Sequence, residues 1–251
     1  MKSLLKAIDT IDAVARAGKA GIRELSSMTD LPPSTVHRIV ATLTAKHYFR
    51  QDPLTKRYSL SFRFLELGSE VQKQFNLVSI ARPHLERLMA EARESVNLAV
   101  QDQDSAVYLD CVPSNYSMLQ LFTKPGARVP LYATAVGKMF LSRMSESDLD
   151  AYLKRTSLTL NTPYTRIEPD KIIEDLKRIR HQGYSVDDEE MEEGVRCVAA
   201  LIYDHNGQPA AAISISGASM RIAPVRVSYF GELILNCAAN ISQELGYNHH
   251  P

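Results

Sequence analysis

The chain has 251 residues, enough for two domains of ordinary size. With 45% hydrophobic and 23% charged residues, it reads as a globular protein. No apolar run approaches 18 residues, and Asp9 and Asp12 break up the N-terminus, so neither a membrane span nor a signal peptide is expected.

The formal net charge of zero conceals an asymmetry. Residues 1–63 carry 11 Lys and Arg against 5 Asp and Glu, a net of +6, whereas residues 64–251 carry 18 against 24, a net of −6. A basic head on an acidic body suits a nucleic-acid-binding module joined to something else. Chance clustering of surface charge is the alternative. Cys111, Cys197 and Cys237 are few, odd in number and far apart, which points to a reducing cytoplasm rather than a disulfide framework.

Taken in chain order, residues 3–17 place Leu4, Ile8, Ile11 and Ala15 on one helical face, with Leu5 and Val14 beside it. Gly18 and Gly21 bracket a stop, and a short helix follows with Ile22, Leu25 and Met28. Thr29-Asp30-Leu31-Pro32-Pro33 is a tight break, and Pro33 suits the first turn of a third helix that runs to about Lys46. Val36, Ile39, Val40 and Leu43 are expected inward, leaving Ser34, His37, Arg38, Ala41 and Thr42 outward. That outer face holds hydroxyls, one His and one Arg. No acid lies between Ser34 and Phe49, whereas an ordinary solvated face mixes both signs. Such a helix can enter the DNA major groove, with Arg38 on a guanine edge or a phosphate and Ser34 and Thr35 near a phosphate. Two β-like runs follow, Tyr48 to Gln51 and Arg57 to Leu60, joined by the turn Asp52-Pro53-Leu54-Thr55-Lys56. Three helices and a hairpin with a basic tip make a winged helix-turn-helix.

Residues 3–62 resemble the DNA-binding domain of the IclR family of bacterial regulators, on Leu31-Pro32-Pro33-Ser34-Thr35-Val36-His37-Arg38 and Asp52-Pro53-Leu54-Thr55-Lys56-Arg57-Tyr58-Ser59-Leu60. The resemblance implies DNA contacts from Ser34, Thr35, His37, Arg38, Thr42, Lys56 and Arg57. His47 and Lys56 stand where the family usually has Gly. A left-handed backbone there would cost a non-glycine residue on the order of 1 kcal/mol.

Phe62 to Leu77 reads as a helix, and the family resemblance makes it a linker that helps subunits pair. The expected organisation is therefore a DNA-binding domain at 1–62, a linker helix at 63–77 and a second domain at 78–251. Val78 to Arg93 is another amphipathic helix. Val96 to Gln101, Ala106 to Val112 and Met118 to Phe122 alternate as strands. Pro169 to Gln182 is a helix with Ile172, Ile173, Leu176 and Ile179 inside. Val195 to Tyr203 and Ala210 to Ser216 are strands around the turn Asp204-His205-Asn206-Gly207, and Val225 to Leu245 is a last helix. This order predicts an α+β domain with helices flanking a mostly antiparallel sheet.

Three segments of this domain carry chemistry. Thr134 is a plausible N-cap for a helix from Ala135 to Met144, whose first N–H groups could hold a carboxylate, with Gly137 permitting close approach. A capped helix facing water is the plain alternative. In Ala210 to Gly217, Ile213 and Ile215 point one way while Ala212, Ser214 and Ser216 point the other. That second face could line a polar pocket or sit under a packed helix. Asp187 to Glu193 packs six acids into seven positions, which reads mostly as a solvated loop, and Cys197 as a small core residue.

Glu192-Glu193-Gly194-Val195-Arg196-Cys197-Val198-Ala199-Ala200, Ile213-Ser214-Ile215-Ser216-Gly217 and Pro130 to Lys138 resemble the family's effector-binding domain, so the likeness spans nearly the whole chain. It implies a GAF-like fold that binds small organic acids. Ala135 and Val136 would offer backbone N–H groups, and Asp187, Cys197, Ser214 and Ser216 would line the pocket. Ala200-Leu201 departs from a common Pro. Within the family, Ile241 to Tyr247 and the acid-rich segment look most like regulators of sugar-acid and pectin breakdown.

The reading is a DNA-binding, non-enzymatic, cytoplasmic regulator, a homodimer or tetramer on a near-palindromic double-stranded operator. It answers to a small organic acid and needs neither cofactor nor metal. Asp187 is expected to accept from ligand hydroxyls. The competing readings are a thiol-dependent enzyme using Cys197 and a metal sensor. No base stands near Cys197 in sequence, and only His249-His250 form a close His pair.

Overall fold

A computed structural model describes residues 2–74, 76–116 and 123–247. The chain divides into two compact units, Met1–Phe75 and Asn76–Pro251. The expected strand Met118 to Phe122 and the His249-His250 pair lie outside the described residues.

The first unit contains helices α1 (Lys2–Ala17), α2 (Ile22–Thr29) and α3 (Pro33–Ala45), strands β1 (Phe49–Gln51) and β2 (Tyr58–Leu60), and helix α4 (Arg63–Gln74). Its core joins Ala13, Val14, Leu25, Val36, Val40, Phe49 and Tyr58, with Ile11, Leu43, Tyr48 and Phe64 packed against it. β1 and β2 pair antiparallel, and Ala20 bridges to Tyr58 beside them. This is a winged helix-turn-helix. The apolar face of α1 is divided: Thr10, Ala13 and Val14 are buried, whereas Leu4, Leu5 and Ile8 lie exposed. Met28 of α2 is exposed too. Leucine spacing finds an apolar stripe but not which part of it the unit covers.

His47 and Lys56 both adopt positive φ, 62° and 57°. At His47 the chain closes α3 in a Schellman-type turn, the Tyr48 amide donating to the Leu43 carbonyl at 2.8 Å.

The second unit is α+β. Its sheet has the order β5-β4-β3-β8-β7-β6, every neighbouring pair antiparallel. The strands are β3 (Ser95–Asp102), β4 (Ser105–Val112), β5 (Arg128–Pro130), β6 (Ser185–Asp188), β7 (Val195–Tyr203) and β8 (Pro209–Ala218). Helices α5 (Asn76–Ala92) and α9 (Val227–Glu244) cover one face, and Leu85, Leu98, Val198, Ile213, Ile215, Phe230 and Ile234 fill the space between. On the other face lie α6 (Ala135–Leu141), α7 (Glu146–Arg155) and α8 (Pro169–Gln182). Their core joins Val136, Met139, Phe140, Tyr152, Leu176 and Ile179 to the small side chains Ala99, Ala199 and Ala212. The alternation in β8 therefore falls as its sequence indicates, isoleucines toward α9 and small residues toward α6.

Several boundaries differ from expectation. The helix expected over Phe62 to Leu77 ends at Gln74, and Leu77 belongs to α5. The helix expected to reach Met144 ends at Leu141. The acid-rich segment is not simply solvated, since Asp187 and Glu190 are buried. The Lys138 ammonium, also buried, lies 2.6 Å from Glu190 and 3.2 Å from Asp175, and Arg166 bonds both acids at 2.8 and 2.9 Å. Buried charges need such partners.

Candidate functional site

On the first unit, α3 presents Ser34, His37, Arg38 and Thr42 to solvent, with Thr35 half-buried. Thr42 Oγ1 donates to the Arg38 carbonyl at 2.9 Å. Among the described residues no acid pairs with the Arg38 guanidinium, so its donors remain available. Asp52 shapes the wing, its Oδ1 accepting from the amides of Leu54 at 2.9 Å and Thr55 at 3.0 Å. Those amides hold its carboxyl below the usual range. Lys56 is exposed at this turn. Arg57, also exposed, pairs with Glu24, its Nη2 lying 2.6 and 2.7 Å from the two carboxylate oxygens.

On the second unit, a cavity of about 360 Å³ opens between the sheet and the start of α6. Ala135, Val136, Asp187, Cys197, Ser214 and Ser216, the six residues carried over from the family resemblance, all line it. Register explains the grouping. Asp187 pairs with Cys197, and Cys197 with Ser216, so the three form one row across β6, β7 and β8. Thr134 caps α6, accepting from the Gly137 amide at 3.3 Å. Gly137 is required by the fold itself, because a Cβ there would stand 2.3 Å from Leu131 Cα. Ser185 Oγ donates to the Ala135 carbonyl at 2.6 Å and ties the start of α6 to β6, two residues from Asp187.

Asn97, which sequence reading missed, is buried on β3 opposite Ser214. Its Nδ2 donates to Ser214 Oγ at 3.3 Å and Ser216 Oγ at 3.1 Å. Tyr108, Thr123, Met191 and Glu192 also line the cavity and were likewise missed. A lone Asn between Val96 and Leu98 was the available signal, but it acquires meaning only once β3 is known to pair with β8.

Burial pushes the Asp187 carboxyl up to about 7, against the pull of Lys138 and of the Glu190 and Met191 amides. Burial also pushes the Cys197 thiol up, with the Asp187 charge adding to it. Cys197 is therefore held as a thiol, the opposite of an activated nucleophile. Arg196 points to the other face of β7, its guanidinium 2.7 Å from the carbonyls of Ser219 and Ile222. A second, wider cleft of about 520 Å³, lined by Arg143, Tyr203, Leu235 and Tyr247 among others, contains none of the expected residues.

A winged helix-turn-helix with a bare arginine on its outer helix, and a second unit with a cavity that holds serine hydroxyls and a buried carboxyl, together define a ligand-responsive DNA-binding regulator. Comparison with known proteins gives the family. The IclR helix-turn-helix domain matches residues 3–53, and the bacterial transcriptional regulator IclR C-terminal domain matches residues 69–243. The chain belongs to the IclR family. It is 34% identical to the transcriptional repressor IclR of Escherichia coli over 98% of this chain and 90% of that one. It is 31% identical to the regulator KdgR of Dickeya chrysanthemi over 100% and 82%. The crystal structure of Thermotoga maritima IclR matches with a TM-score of 0.81 at 33% identity, over 98% of this chain and all of that one. These relatives are named as regulators and repressors, not enzymes. No described helix is long and apolar enough to cross a membrane.

Proposed function

We propose that this chain is a cytoplasmic transcription regulator whose grip on double-stranded DNA changes when a small organic acid, a keto acid or sugar acid, occupies the cavity beside α6. The donors in a largely apolar lining carry this reading. Hydroxyls of Ser214 and Ser216 and the first amides of α6 are donors, and among the described residues that line the cavity none is Lys or Arg. Donors without a fixed cation favour a carboxylate with neighbouring hydroxyl or keto oxygens over a phosphate. A volume of about 360 Å³ lies at the compact end of ligand pockets.

The DNA half of the reading rests on α3 and the wing, with Ser34, Thr35, His37, Arg38 and Thr42 at the groove and Lys56 on the backbone. The exposed Leu4, Leu5 and Ile8 of α1, together with Phe62 and Leu65 at the start of α4, support pairing with a second copy. A homodimer or tetramer would present two heads to a near-palindromic operator. Residues 1–62 then serve as the DNA head, 63–77 as linker and 78–251 as effector domain. A melting-shift screen of keto acids, sugar acids, phosphorylated sugars and apolar acids tests the ligand class. Shifts from phosphorylated or bulky apolar compounds alone would overturn it.

A further inference from the structure

Resting on the acid-effector reading, we infer that Asp187 serves the bound acid as a proton donor. The acid enters as its anion, Asp187 takes up one proton from solvent, and the resulting O–H bridges the two carboxyl groups. One O–H bond forms on Asp187 and no other covalent bond changes. This reverses the acceptor role that the residue type alone suggests.

The geometry leads there. Asp187 is 3% exposed yet lines the cavity. Its described hydrogen bonds fall on one oxygen: Oδ1 accepts from the amides of Glu190 at 2.8 Å and Met191 at 3.3 Å. Oδ2 accepts from no described residue. Ser185, two residues before Asp187, is tied to the Ala135 carbonyl, and Ala135, Asp187 and Ser216 line the same cavity.

Among the described residues no cation bonds Asp187, and Lys138, whose charge it feels, is committed to other partners. From β7 comes the Cys197 thiol and from β4 the Tyr108 phenol, both kept neutral by burial. From β8 come only the hydroxyls of Ser214 and Ser216. From α6 comes Lys138, whose ammonium is engaged by Asp175, Glu190 and the Val186 carbonyl. Arg166 serves the same two acids. The loop after β6 adds Glu190, already paired, and Glu192 at the cavity wall. On the far face of the strands, Arg196 pairs with Asp188. Two ionised carboxylates in about 360 Å³ would lie within a Debye length of roughly 8 Å with no cation between them. Like charges that close do not both ionise. A carboxyl already raised to about 7 is the one that takes the proton.

Isothermal calorimetry on the full chain tests this. Pyruvate, glycerate, D-gluconate and D-galacturonate are titrated at pH 6 and pH 8 in Tris and in HEPES, whose ionisation enthalpies differ. For an acid that binds, the expected uptake is about one proton per ligand at pH 8, falling toward zero at pH 6, with affinity dropping up to about tenfold between pH 7 and 8. Asp187→Asn is expected to bind with no proton uptake and a flat pH profile. Its melting curve reports whether it is folded, and if it is not, the wild-type proton count alone decides. An acid that binds equally at both pH values, with no buffer-dependent heat, overturns the proton role and leaves the acid-effector reading standing. If none of the four binds at either pH, both fall together.

Discussion

Asn97 Nδ2 lies 3.1 Å from Ser216 Oγ, joining β3 to β8 across 119 positions of sequence. An amide N–H fills acceptor capacity on the serine oxygen, so the hydroxyl hydrogen must find its acceptor elsewhere. The same holds for Ser214 at 3.3 Å. Asn97 thereby orients both hydroxyls, which lie 3.5 Å apart and line the cavity. Asn97→Asp would accept those hydrogens and add a buried negative charge. Acid binding is expected to weaken at least tenfold, about 1.4 kcal/mol, in a ligand titration. Unchanged affinity would remove Asn97 from the account.

On the DNA head, three cations are expected to behave differently. Arg38→Ala is expected to cost roughly 1–3 kcal/mol on the operator and to relax specificity at one base. Lys56→Ala is expected to weaken all sequences alike and to flatten the salt dependence by about one counterion. Arg57→Ala is expected to do less than either, because Arg57 is held by Glu24. Titrations at several salt concentrations separate the three. Wild-type operator affinity in Arg38→Ala would misplace the recognition helix.

Gly137→Ala tests the packing of α6. Its Cβ would meet the Leu131 backbone, which cannot rotate away as a side chain can. Overpacking of this kind is expected to cost about 1–3 kcal/mol and to lower the melting temperature whether or not ligand is present. A variant as stable as wild type would mean that α6 shifts freely.

A fragment of residues 76–251 is expected to fold alone, because its two cores lie wholly within it. It is expected to bind the acid and to show no affinity for DNA. Circular dichroism and a melting-shift assay check this, and an unfolded fragment would put the boundary elsewhere.

The parts legible in sequence were local or alternating. The outer face of α3, the wing turn at Asp52 and the two faces of β8 follow from periodicity and turn chemistry over a few residues. The six cavity residues came from family resemblance, and β-sheet register explains why they meet. Asn97 stayed hidden because strand pairing brings it to Ser214 from more than a hundred positions away, and Tyr108 because it reaches the cavity from a strand two places beyond β8 in the sheet. Nothing local in the sequence gives Lys138 a partner. Asp175 and Glu190, 37 and 52 positions on, make it part of a buried network instead. The exposed leucines of α1 show the other limit, since an amphipathic pattern does not name its partner.

The most direct measurement of the central claim is the melting shift given by the true effector acid to wild type and to the Ser214→Ala, Ser216→Ala double variant. At 100 times its dissociation constant, a ligand adds about 2.7 kcal/mol to the folded state. The account requires that full shift in wild type and most of it lost in the double variant, each shift being read against the variant's own unliganded melting curve because Asn97 Nδ2 loses both acceptors. A double variant stabilised as much as wild type would contradict it.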